Sequence, residues 1–298
     1  MESELKSRRV EKLKSFALNF ALCKTSHFTF HISLLLFAIC YLLFVSTVSA
    51  FCEQVKINYN NGIYHIVLDG KSFAKKINFV ASEKLITNKE AHITSGSLLT
   101  INTGFFDPKN QKTISYIVYD GHTAADPLLN ENLLMNPVLR QNIDKIINRT
   151  EFRIVECSGK YHYEIVPHKT PVDFACNIQT SAQGGPLLLP ELRLEEEFFI
   201  LKNSEGKVIR ESASVLEKTA RTIIGLKGND IHILIITNKN PMTIYEARDF
   251  CKKLGLEKAM AFDGGSSTSI NYKKEIDVTS TKDESGRLLK SFMIIKDK

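Results

Sequence analysis

Two β-branched apolar runs, residues 222–226 and 231–237, flank Lys227-Gly228-Asn229-Asp230. A turn of that chemistry between two such runs folds back as a hairpin. The next twenty-odd residues narrow the choices further. Asn240 reads as a helix cap, with Pro241 at the first helical position. Ile244, Ala247, Phe250, Cys251 and Leu254 fall on one helical face, and Gly255 stops the helix. Residues 258–262 then form a strand that ends at Asp263. The C-terminal third thus reads as a hairpin, an amphipathic helix and a further strand in succession.

The remainder of the chain is also strand-rich. Residues 62–68, 97–101 and 113–119 are β-branched or aromatic runs. Residues 152–156 and 161–166 flank Cys157-Ser158-Gly159-Lys160 as a second hairpin. Residues 174–178, 187–189 and 292–295 complete the set, and residues 131–148 read as helix split by Pro137. Strands that dominate, with few helices, predict an α+β fold: a large mixed or mostly antiparallel sheet with flanking helices, in a single exported domain.

The expectation of export comes from the first 52 residues. Residues 25–52 contain no Asp, Glu, Lys or Arg, and residues 34–45 are unbroken apolar. A basic segment precedes them, and Val48-Ser49-Ala50 supplies small residues for a signal peptidase. Residues 1–52 are therefore a signal peptide or a signal anchor, and the membrane is a partner if they stay attached. Residues 53–298 form the working domain, placed outside the cytoplasm: secreted, periplasmic or membrane-anchored. The chain carries +6 overall. Residues 1–50 hold six Lys or Arg against three Glu, which leaves 6 − 3 = +3 for the remainder. So small and dispersed an excess excludes nucleic acid as a partner. Past the apolar segment stand Cys52, Cys157, Cys176 and Cys251, with three full pairings open, none in Cys-x-x-Cys spacing. Buried Cys251 is expected to stay free.

The chemistry concentrates at Asp263-Gly264-Gly265-Ser266-Ser267-Thr268. Paired glycines let backbone amides approach a ligand without Cβ obstruction, and the hydroxyls donate or accept beside them. A carboxylate at the lip of such a turn suits acid, base or nucleophile work, or holding a cation.

Four segments stand in order: Asn102-Thr103-Gly104-Phe105-Phe106, Gly184-Gly185-Pro186-Leu187-Leu188, Arg221-Thr222-Ile223-Ile224-Gly225, and the Asp263 segment. Together they resemble the phosphodiester glycosidase family over residues 55–296. That family holds the catalytic domain of the mannose 6-phosphate uncovering enzyme, N-acetylglucosamine-1-phosphodiester alpha-N-acetylglucosaminidase. Two departures are visible. Ser266 stands where the family usually has a third glycine, and Gln183-Gly184-Gly185 replaces its usual Gln-Ser pair.

The resemblance implies hydrolysis of the bond between sugar C1 and a phosphate oxygen, releasing sugar and a phosphate monoester from a phosphorylated glycan or glycoconjugate. Asp263 is then the carboxylate at C1, as nucleophile or as base on water, with Asp107 ahead of Glu246 as a second acid. Asn102 would fix a substrate hydroxyl or the catalytic water. Arg221 suits the phosphate, since a guanidinium fork matches its oxygens. Amides of Gly184, Gly185, Gly264 and Gly265 and hydroxyls of Ser266, Ser267 and Thr268 would complete substrate binding. Phe105 and Phe106 read as core rather than sugar platform. No cofactor is implied. The metal ligands are unknown, and a divalent cation on Asp263 and nearby oxygens is the one such group the chemistry admits. Six histidines lie past residue 52 without His-x-x-x-His spacing, which argues against zinc hydrolysis. A non-catalytic envelope glycan-binding protein, or a metal-dependent phosphodiesterase cleaving P–O, are the competing readings.

Overall fold

The computed structural model of the chain describes residues 55–283 and 285–297. The expected signal peptide or anchor, and Cys52, lie outside the described residues. Among the described residues no helix is long and apolar enough to cross a membrane. The strands are β1 (Lys56–Asn60), β2 (Ile63–Asp69), β3 (Ile77–Ile86), β4 (Leu99–Asn102), β5 (Ile117–Tyr119), β6 (His122–Ala125), β7 (Thr150–Cys157), β8 (Lys160–Pro167), β9 (Cys176–Gln183), β10 (Leu187–Leu189), β11 (Ile200–Lys202), β12 (Val208–Glu211), β13 (Arg221–Lys227), β14 (Asp230–Ile236), β15 (Lys258–Ala261), β16 (Ser269–Tyr272), β17 (Ile276–Thr279) and β18 (Leu289–Ile295).

β13 and β14 form the expected hairpin, with Arg221 opposite Ile236 and Lys227 opposite Asp230. They lie at the centre of a six-stranded sheet ordered β1-β2-β14-β13-β15-β10. A second sheet runs β17-β16-β4-β18-β3, a third β6-β5-β9-β7-β8, and β11 pairs with β12. Every named strand pair is antiparallel. The α+β class stands, and the large sheet of the sequence reading is resolved into three that share one core. Ile224, Ile233 and Met260 of the first sheet, Phe79 and Ile101 of the second, and Phe152 of the third all belong to that core. On the other face of the first sheet, Ile223, Leu234 and Ala259 pack with Ile244, Ala247 and Cys251 of the helix Ile244–Lys253. Burial on both faces explains why β13 and β14 read as continuous apolar runs rather than alternating ones.

The helix begins three residues later than Asn240-Pro241 suggested. Thr243 is its cap: the hydroxyl accepts from Glu246 N (3.2 Å) and the Glu246 carboxylate accepts from Thr243 N (2.8 Å). That reciprocal pair satisfies two orphan amides. Pro241 instead precedes an extended Met242 bridged to Thr219. At the far end Gly255, at φ +73°, donates to Lys252 O (2.9 Å), as expected. Residues 131–148 form three short helices, Glu131–Met135, Pro137–Gln141 and Ile143–Ile147. Pro137 opens the second, capped by Asn136. The strand expected over residues 113–119 starts only at Ile117, because Thr113 turns onto Ser115 through two hydrogen bonds. Cys157 and Cys176 form a disulfide between directly opposed residues of β7 and β9, and Cys251 is free and buried.

Candidate active site

Asp263 stands where the chain leaves one sheet for another. β15 pairs with β13 in the first sheet. The turn Gly265–Ser267 comes next, and β16 then pairs with β4 in the second sheet. The loop between is stitched to both. Phe262 N donates to Thr222 O, Asp263 N to Thr103 O and Gly265 N to Ala220 O, each at 2.8 Å. Asn102 fastens the same junction. Its amide donates to Asp263 O (2.6 Å), while its carbonyl oxygen accepts from Thr222 Oγ1 (2.7 Å) and Ser269 N (3.1 Å). Gly265 adopts φ +58°, and a Cβ at Gly264 would meet Ala220 O at 2.9 Å, so this turn needs its two glycines.

The loop opens on a cavity of about 480 Å³, within the usual range of ligand sites. Asp263, Gly264, Gly265 and Ser266 form one wall. Among the described residues Asp263 is the one carboxylate on the lining, facing three guanidinium-bearing residues, Arg149, Arg210 and Arg287. Arg149 is buried, stacks over Phe199 (4.0 Å to the ring centre) and donates to Glu197 O (2.9 Å). Burial lowers its pKa to about 10, still charged at neutral pH. Arg210 lies over Phe198, and Arg287 lies over Phe106 and donates to Ser266 Oγ. Phe105 and Phe106 line the cavity as well as packing below it.

Asp263 itself is only partly exposed. Burial pushes its pKa up to about 6, against the opposing pull of Ser267, Arg287 and the Gly264 amide. Desolvation raises a carboxylate by disfavouring its charged form. Ser267 and Thr268 are fully buried beneath it, and neither hydroxyl makes a hydrogen bond of ordinary geometry.

Several residues expected at the substrate sit instead beneath the site. Arg221 is buried and off the cavity wall. Its guanidinium donates to Met242 O (3.0 Å), Ser214 O (3.0 Å), Val215 O (3.0 Å) and Glu217 O (2.6 Å). It thereby pins the loop whose Ser212, Ala213 and Ser214 line the cavity. The amides of Gly184 and Gly185 are consumed by Thr150 O (2.9 Å) and Ala261 O (2.8 Å), so they are not free for phosphate. These glycines serve close packing: a Cβ at Gly184 would meet Ala261 O at 2.7 Å, and one at Gly185 the Glu197 carboxylate at 2.2 Å. Asn102 is buried off the cavity wall, with both its side-chain oxygen and its amide nitrogen bonded within the protein. Asp107 is a turn residue, accepting from Lys109 N (2.8 Å) and Asn132 Nδ2 (2.9 Å) away from the cavity. Glu246 closes its helix cap and pairs with Lys218 (2.9 Å). The four segments do converge. Asp263 to Ser266 face the cavity together with Phe105 and Phe106, and the remaining residues of the other three segments pack behind them.

The sequence reading missed Arg149, Arg210 and Arg287. Each stands alone in an apolar or mixed stretch, and no local spacing links them. Among the described residues no three His, Cys, Asp or Glu side chains come together to hold a metal ion.

The antiparallel multi-sheet fold thus carries one partly buried acid and three arginines on the wall of one cavity. The sequence profile described as NAGPA, phosphodiester glycosidase, matches residues 95–296. The chain belongs to the phosphodiester glycosidase family. Three solved structures share its fold. The catalytic domain of zebrafish N-acetylglucosamine-1-phosphodiester alpha-N-acetylglucosaminidase, auto-inhibited by its pro-peptide, aligns with TM-score 0.58 at 14% identity, over 82% of this chain and 83% of that one. A putative exported protein from Burkholderia pseudomallei aligns with TM-score 0.57 at 10% identity, over 78% and 73%. A hypothetical protein from Synechocystis aligns with TM-score 0.51 at 12% identity, over 81% and 61%. No curated protein matches the chain.

Proposed function

We propose that the chain is a hydrolase that cleaves the C1–O bond of a sugar phosphodiester outside the cytoplasm. The observation that carries this reading is the pairing of Asp263, poised near pKa 6, with three arginines across one cavity. A phosphodiester is anionic, and guanidinium groups in a partly desolvated site bind its oxygens well. Arg149 and Arg287 hold the phosphate, Arg210 supports it from the rim, and the Gly264–Gly265 turn brings the sugar against Asp263.

Cleavage at C1 passes through an oxocarbenium-like state that a nearby carboxylate stabilises. Glycosidases of either stereochemical outcome ordinarily place two carboxyl groups on the reacting centre, and the described lining supplies one. We assign Asp263 as the base on water. The water oxygen bonds to C1, and its proton passes to Asp263 and then to solvent. The C1–O pair leaves with the phosphate as a monoester. A phosphate monoester is a good leaving group, so no second acid is required. A base with pKa near 6 is matched to neutral pH.

Arg221, Asn102, Gly184 and Gly185 act on this site through the loops they hold. Export is supported by the charge-free N-terminal run and by the Cys157–Cys176 disulfide, which persists in oxidising compartments. The deciding test is hydrolysis of a panel of sugar phosphodiesters in oxygen-labelled water by the full chain. Label in the released sugar is expected; label in the phosphate would make it a phosphodiesterase, and binding without turnover a glycan-binding protein.

A further inference from the structure

We propose that the alcohol on the far side of the phosphate is aliphatic, so that the substrate is a sugar phosphodiester of a long-chain lipid alcohol. This rests on the reaction proposed above and adds to it the class of leaving group.

The cavity lining combines two chemistries. Asp263, the arginines and the small hydroxyl residues supply the polar one. Ile114, Leu133, Leu139 and Ile146 supply an aliphatic one. Leu133, Leu139 and Ile146 come one from each of the three short helices between Glu131 and Ile147. Those helices bring no hydrogen-bonding side chain to the cavity. A second sugar placed there would bring hydroxyls with few partners, which is costly. A hydrocarbon there removes apolar surface from water on both partners.

The outer surface of the same segment also exposes apolar side chains. Leu129 is 69% exposed and Met135 79%, with Leu128 and Val138 also exposed. A helix walling a cavity with its inner face ordinarily shows water a polar outer face. Here exposed apolar side chains neighbour Leu133 and Leu139 along the chain, among exposed polar ones such as Glu131, Asn132 and Arg140. They would meet the part of a hydrocarbon that is longer than the cavity.

Binding of the product half tests this without knowledge of the sugar. Methyl phosphate, n-octyl phosphate and farnesyl phosphate are titrated calorimetrically into the full chain, below their micellar concentrations. We expect n-octyl phosphate to bind at least about tenfold tighter than methyl phosphate at one site, since each buried methylene adds to the gain. Leu139→Ser and Ile114→Ser should each remove most of that preference, and Arg287→Gln should weaken both ligands. Farnesyl against n-octyl phosphate separates a prenyl from a saturated lipid alcohol. Equal binding of methyl and n-octyl phosphate overturns the inference, whatever is hydrolysed. Tight n-octyl phosphate binding without hydrolysis of any sugar phosphodiester would instead leave the aliphatic subsite standing and sink the reaction.

Discussion

At Asp263 burial and function oppose one another. Its folded pKa near 6 exceeds the ordinary 3.8. The folded chain therefore binds the proton more tightly than the unfolded chain does, and stability falls as pH rises between about 4 and 6. Above that window the charged form costs up to about 3 kcal/mol. Asp263→Asn should be more stable than wild type in denaturant melts at pH 7.5, with little difference at pH 4. The same substitution should lower kcat/KM for a sugar phosphodiester by roughly 10²- to 10⁴-fold, the span usual for a general base. In wild type, kcat/KM should climb through about pH 6 and then level off. Gly185→Ala tests the supporting role of the glycine motif. With φ +100° and a Cβ 2.2 Å from the Glu197 carboxylate, it should lose more than about 1 kcal/mol of stability in the same melts. Asp263 was legible because a carboxylate, two glycines and hydroxyls adjoin in sequence. Arg149, Arg210 and Arg287 were not, because each is separated from Asp263 by more than twenty residues and only the folded loops collect them. Arg221 read as a ligand for a related reason: a charged residue opens an apolar strand, and only the fold shows four carbonyls taking its Nε and Nη2 donors.

Among the elements, hairpins were the most readable, since Lys227-Gly228-Asn229-Asp230 and Ser158-Gly159 carry turn chemistry locally. β3 and β17 passed unread because their residues mix charge and apolarity on half-covered strands, and β16 because Ser269-Ile270-Asn271-Tyr272 is short and largely polar although buried. The late start of the helix Ile244–Lys253 shows two local signals in competition. Asn240-Pro241 resembles a start, yet Thr243 with Glu246 closes both ends of a capping box, and the second arrangement satisfies more amides. Thr243→Ala should then destabilise the protein by about 1 kcal/mol, read as a shift in denaturant midpoint, with kcat/KM unchanged because the cap lies off the cavity. Asn240→Ala should have no comparable effect. The His65–His232 pair joins neighbouring strands at 2.8 Å (Nε2 to Nδ1), and burial lowers His232 to about 4. A histidine held neutral contributes stability that is present above its unfolded pKa near 6.5 and lost as pH falls toward 4. His232→Gln should flatten that loss in melts taken between pH 4 and 7.

For the molecule entire, the disulfide between β7 and β9 closes a loop of 19 residues. Its removal by Cys157→Ser with Cys176→Ser should cost about 3 kcal/mol, measured as the change in unfolding free energy. The α+β class emerged from strand density and turn spacing. The division into three sheets did not, because strand partners such as β4 and β18 or β13 and β15 are far apart in sequence and nothing local names them.

Asp263 is held only where two sheets meet. A half-assembled chain, with either sheet alone, would carry every active residue and yet possess no place to react. Turnover of a sugar phosphodiester would thus report completed assembly, arriving together with the last docking event.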